Sequence, residues 1–140
     1  MKKLFFILGI SLILASCSKN DVKFETFSPE AFAYDIGDGI FEVNATVRVK
    51  GFVQNEKDGN YSMSVSYNVD LVKPDNSIVK SIYKDVHKES DKEAINDVGL
   101  DAQFDLDSTY SDGNYTLIYS IKDELSKNQT KAEVKFDLSK

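Results

Sequence analysis

The chain is poor in the residues on which most protein chemistry relies. Its 140 residues hold one cysteine, one histidine, two prolines and no tryptophan. A single cysteine cannot close an intramolecular disulfide, so a folded domain must stand without a covalent staple. A lone histidine, His87, supplies neither a Cys/His zinc set nor a histidine pair for acid–base work. It falls at the end of a strand pattern and reads as a surface residue. Serines are frequent, but none sits in Gly-x-Ser-x-Gly. Gly37-Asp38-Gly39 lacks the lysine and helix of a phosphate-cradling loop. No catalytic constellation emerges, and an enzyme is not expected.

Past residue 16, no apolar run approaches the roughly 20 residues that a spanning helix needs. The one long run lies at the start. Lys2 and Lys3 precede Leu4 to Ala15, which is almost wholly apolar, and the chain turns polar at Ser16, Ser18, Lys19, Asn20 and Asp21. That length suits the core of a secretion signal. The run ends in Leu14-Ala15-Ser16-Cys17, which resembles the lipobox of bacterial lipoproteins. Small residues at 15 and 16 would admit a peptidase to the bond before Cys17, whose thiol would be free for a diacylglycerol.

The resemblance implies that residues 1–16 are a cleaved signal peptide. It implies that Cys17 carries the diacylglycerol and an amine-linked acyl chain such as palmitate, and that residues 17–21 form a short tether. Two or more chains, at about 0.8 kcal/mol per buried methylene, make a stable anchor. Ser18 in place of Asp resembles the sorting pattern of the outer membrane of a Gram-negative bacterium. The pattern leaves the periplasmic face and the cell surface both open.

Once Lys2 and Lys3 leave with the signal, 15 basic residues face 23 acidic ones, a net charge of −8. So acidic a surface disfavours nucleic acid, whose phosphates need basic patches. Residues 22–140 suffice for one domain with a core of its own.

That domain is expected to be all-β. Odd positions from Phe41 to Val53 are apolar and even ones polar, with Phe52 as the exception. Tyr61, Met63, Val65, Tyr67, Val69 and Leu71 alternate with Ser62, Ser64, Ser66, Asn68 and Asp70. This period of two marks half-buried strands. The Asn55–Asn60 turn cluster between the two runs suggests an antiparallel pair. Lys73-Pro74-Asp75-Asn76-Ser77 predicts a turn and Ile78 to about Val86 a shorter strand. Lys88 to Asp97 is polar and could hold a helical turn. Val98 to Leu106 alternates again. Tyr115, Leu117, Tyr119 and Ile121 should face Ala132, Val134, Phe136 and Leu138 in a last hairpin. Val22–Phe27 and Ala31–Ile36 add edge strands split by Pro29. Seven or eight short antiparallel strands suggest a sandwich.

The segment from Leu106 to Leu117, with Tyr115 just after the Asp112-Gly113 turn, resembles the approach to the penultimate strand of immunoglobulin-like domains. The resemblance implies an immunoglobulin-like β-sandwich over residues 22–140 with Tyr115 as its tyrosine corner. Leu117 stands where antibody domains have a cysteine, and their buried tryptophan is absent.

Such a fold does not name a function. The leading expectation is a non-enzymatic, lipid-anchored cell-envelope protein that binds or scaffolds another envelope or surface component, protein or glycan. The alternative is a calcium- or carbohydrate-binding surface module. The oxygen ligands for calcium would come from Asp35, Asp38, Asp105, Asp107 and Asp112, although Asp and Gly also simply make turns. Phe52, Val72 and Tyr83 break the outward polar pattern; they are candidates for an exposed partner patch, or they are covered by a second sheet or the edge strand. The lipobox reading has a direct check. Cys17→Ala is expected to abolish incorporation of labelled palmitate and to leave the precursor at full length, as read by autoradiography and gel mobility.

Overall fold

The computed structural model describes residues 22–140, so the signal segment, Cys17 and the tether read from the sequence lie outside the described residues. Eight strands follow in order: β1 (Glu25–Gly37), β2 (Ile40–Lys50), β3 (Asn55–Lys57), β4 (Asn60–Val72), β5 (Ile78–Asp91), β6 (Asp97–Leu106), β7 (Gly113–Asp123) and β8 (Gln129–Leu138). All pairings are antiparallel. One sheet has the order β1-β2-β6. The other has β3-β4-β7-β8, with β5 also pairing β4. The chain is an all-β sandwich of a three-stranded and a five-stranded sheet.

The alternation seen in the sequence builds the core. Val43, Val47 and Val49 of β2 and Leu100 of β6 meet Val65, Val69 and Leu71 of β4 and Leu117 of β7, all fully buried. Tyr67 links the two sheets, its hydroxyl donating to the carbonyl of Asp101 at 2.6 Å. Tyr115 makes the expected corner. Its ring stacks on Phe136 with centroids 5.4 Å apart, and its hydroxyl donates to the carbonyl of Ser111 at 2.6 Å.

Three expectations are corrected. β2 and β4 are not a hairpin: β2 pairs β1 and β6, whereas β4 belongs to the opposite sheet. The reason is Gly51. Its φ of +78° turns the chain out of β2, and its bare Cα packs on the backbone of Lys23, where an added Cβ would come within 2.1 Å of the Lys23 carbonyl oxygen. The turn shifts the register by one residue, so Phe52 points inward at 6% exposure and Val53 outward at 44%. The third correction is β5, which runs on to Asp91, so the first four residues of the polar stretch expected as a helical turn are edge strand and residues 92–96 are bend and coil with no helix.

The crossing between sheets is pinned by Asp123, which is fully buried. Its carboxylate accepts the Val53 N–H at 2.8 Å, the Leu125 N–H at 3.0 Å and the Ser126 hydroxyl at 2.6 Å. A buried carboxylate tolerates its site only with partners of this kind. Gly51→Ala is expected to destabilise the domain by about 3 kcal/mol, because a Cβ at positive φ would also collide with rigid backbone. A urea melt would measure the loss.

Candidate functional site

The acidic turns come to one pole of the sandwich. Gly39 approaches Ser108, where an added Cβ would lie 3.3 Å from the Ser108 Cβ. The carboxylates themselves do not converge. Asp35 accepts the Gly37 N–H at 2.8 Å, Asp107 the Thr109 N–H at 2.9 Å and Asp112 the Lys140 N–H at 3.3 Å. Asp38 sits at positive φ in its own turn, and Asp105 lies on a sheet face opposite Glu42. The Thr109 hydroxyl and N–H hold the Asp107 carboxyl below the usual range. Among the described residues, no group of three or more His, Cys, Asp or Glu is placed to hold a metal ion.

The proposed apolar patch does not assemble either. Phe52 is in the core, for the reason given by Gly51. Val72 is half-buried between Ile78 and Thr116. Tyr83 packs its ring 6.1 Å from Tyr67. His87 is half-buried on β5, with Nε2 3.1 Å from a Glu89 carboxylate oxygen.

Two surfaces that the sequence did not single out carry more. The first is the outer face of the three-stranded sheet. Phe32, Tyr34 and Ile36 point outward from β1 at 53%, 54% and 54% exposure, and the two rings lie 6.4 Å apart. Their inward neighbours, Ala31 and Ala33, are small because β1 lies close along β8. Beside the aromatic stripe the ladder places Asn44 opposite Phe32 and Glu42 opposite Tyr34, with Gln103 and Asp105 on β6 beyond. The Asn44 side-chain amide donates to Glu42 at 2.7 Å, and the amides of Asn44 and Gln103 hold the Glu42 carboxyl below its ordinary value. A shallow groove of about 300 Å³ runs between Phe32, Asn44, Thr46 and Gln103. The face is acidic, with Glu25, Glu30, Glu42, Asp97, Asp101 and Asp105 against Arg48 and Lys50. The signal in the sequence was the alternation of bulky and small residues from Ala31 to Ile36.

The second surface is the outer face of the five-stranded sheet. Register puts Lys84, Asn68, Ser120 and Lys131 in one row across β5, β4, β7 and β8. The next row reads Val86, Ser66, Lys122 and Gln129. Short side chains at Ser66, Asn68 and Ser120, with Lys84 and Lys131 on the edge strands and Lys122 on β7, make a trough of about 740 Å³. Its basic character is visible only once the strand order is known.

No protein-family model matches the chain, and no curated protein matches it. Among solved structures, it is similar to a Bordetella pertussis protein designated ApaA, with 11% identity and a TM-score of 0.43, over 80% of this chain and 92% of that one. It is also similar to a protein from Archaeoglobus fulgidus, with 13% identity and a TM-score of 0.32, over 83% of this chain and 99% of that one. At these identities and scores, neither likeness bears on the fold or the function of this chain.

One carboxylate holds a side chain of the trough, Asn68. Asp70 is buried and accepts the Ser81 N–H at 2.8 Å, the Lys80 ammonium at 2.9 Å and the Asn68 amide at 3.0 Å. These partners, the Ser81 N–H first, lower its pKa against the opposing effect of burial. Asp70 therefore contributes stability that is complete above the unfolded value of about 3.9 and lost as pH falls through the lower folded value. Asp70→Asn is expected to lower stability at pH 7 and to flatten the acid limb of a melting-temperature profile between about pH 5 and pH 2.

Proposed function

We propose that this chain is a non-enzymatic, lipid-anchored protein of the cell envelope. Cys17 holds it at the outer membrane of a Gram-negative bacterium, and its sandwich binds or scaffolds another envelope or surface component. The anchor rests on the lipobox. The binding role rests on one observation above the rest: the stripe of Phe32, Tyr34 and Ile36, each more than half exposed on one edge strand. Contiguous exposed apolar groups rimmed by polar ones mark interaction surfaces. Aromatic side chains give much contact area for little conformational entropy, which is why they dominate binding energy at interfaces.

A non-catalytic role also fits the carboxylates, most of which already serve turns, ladders and ion pairs. His87 lies on β5, away from the aromatic stripe, with Glu89 as its polar neighbour. Among the described residues, no helix is long and apolar enough to cross a membrane.

A photo-crosslinking residue placed at Tyr34 in living cells is expected to give a discrete higher-mass adduct. The same residue at Lys57, on the short β3, should give none. Phe32→Ser combined with Tyr34→Ser should weaken capture at least tenfold, from about 2 kcal/mol per aromatic anchor. Absence of any adduct from positions 32, 34 and 36 in membrane-bound protein would sink the reading.

A further inference from the structure

We propose a second binding site, independent of the aromatic stripe: the trough on the outer face of the five-stranded sheet takes a segment of acidic polysaccharide, recognised through its carboxylates and hydroxyls. The trough, at about 740 Å³, lies in the range of small-ligand sites. Its floor is mostly apolar surface that carries three hydrogen-bonding side chains: Ser66 and Asn68 from β4, which also bond Glu124 and Asp70, and Ser120 from β7. These hydroxyls and the amide suit a ligand with many hydroxyls of its own. Lys84 and Lys131 close the row at either end, three strand spacings apart, or about 14 Å at the backbone. Their methylene stems, with Val86, provide aliphatic walls for the C–H faces of sugar rings.

Charge selects the sign of the ligand. The chain carries a net −6, yet this face gathers Lys84, Lys122 and Lys131 around one trough. Neither Lys84 nor Lys131 has a carboxylate within ion-pair distance among the described residues, and Lys122 has only Glu124, at 3.8 Å. One carboxylate, Glu133, lies two residues from Lys131 on β8 opposite Ile118, and the others nearby are engaged. Glu124 accepts the Ser66 hydroxyl at 2.6 Å and the Lys127 ammonium at 3.2 Å. Asp85 accepts the adjacent Val86 N–H and lies opposite Tyr67 on the inner face. Asp70 is taken by Lys80 and Ser81. A positive trough on a negative protein complements an anion and no other charge type.

The lining argues against other polyanions. Single-stranded nucleic acid binds through aromatic platforms under its bases, and no aromatic ring lies on this floor apart from Tyr67, which is buried beneath it.

Calorimetry on the full lipidated chain in detergent tests this, with oligogalacturonate as probe and a maltooligosaccharide of equal length as the neutral control. Oligogalacturonate should bind, and binding should weaken as salt rises from 50 to 500 mM. Lys84→Gln with Lys131→Gln should weaken it about tenfold, as expected for two partly exposed charges, with no change in melting temperature. Phe32→Ser with Tyr34→Ser should leave it unchanged, which separates this site from the aromatic face. No binding, equal binding of the neutral oligomer, equal binding of polyphosphate, or indifference to the lysine variants would each overturn the proposal. So would sedimentation as a dimer that Lys84→Gln dissolves, since the occupant would then be a second copy.

Discussion

The fold turns on a single crossing. A chain of strictly alternating side chains cannot pass from one sheet to the other without exchanging its inner and outer faces. Gly51 makes that exchange, and Asp123, some seventy residues later, holds the far side of it by accepting the Val53 N–H. The same carboxylate organises the β7–β8 loop through Leu125 and Ser126. One buried charge thus ties the first sheet change to the last hairpin. Without a disulfide, this long-range tie is among the few specific devices that choose one sandwich over other pairings of the same strands.

Edges are handled by similar means. β5 is a fourteen-residue edge strand, long enough to invite pairing with another chain. Asp70 takes the Ser81 N–H into a bulge there, with Ser81 at positive φ, and Lys80, Lys84 and Lys88 add charge along the strand. Lysines that guard an edge and lysines that rim a trough are here partly the same residues. Protection from aggregation and capture of an anion place compatible demands on them.

Much of the core could be read in the sequence because the pleat alone decides which face a residue takes. The runs around Val65, Leu100 and Leu117 alternate with few breaks, such as Ile118, and the structure buries most of the residues they mark, with Tyr61 and Phe104 half-buried. Tyr115 was legible because its hydroxyl bonds a carbonyl only four positions back, inside the segment whose resemblance marked it, whereas its stacking on Phe136 was not. Phe52 was misread because a positive-φ glycine one residue earlier inverts the pattern, and alternation carries no record of φ. The pairing of β2 with β4 was misread because sequence neighbours need not share a sheet. The binding faces were harder still. Phe32 and Tyr34 point outward because β8 leaves room only for alanine beneath β1. Lys84 and Lys131 meet only through the order of four strands drawn from distant segments.

The described chain starts at the pole opposite the acidic turns. Val22 lies beside Gly51, Gln54, Ile95 and Asn128, where the sheet crossing and the β5–β6 and β7–β8 loops gather. Were the proposed lipid anchor to leash the sandwich at this pole, it would stand upright with both of its broad faces turned sideways. Anything they grip would then lie in the plane of the supporting surface, not above it. Encounter would be two-dimensional, governed by how densely neighbours crowd that plane, and even feeble contacts would be multiplied by proximity. On that geometry the molecule resembles a mortar joint between standing neighbours more than a hook cast outward.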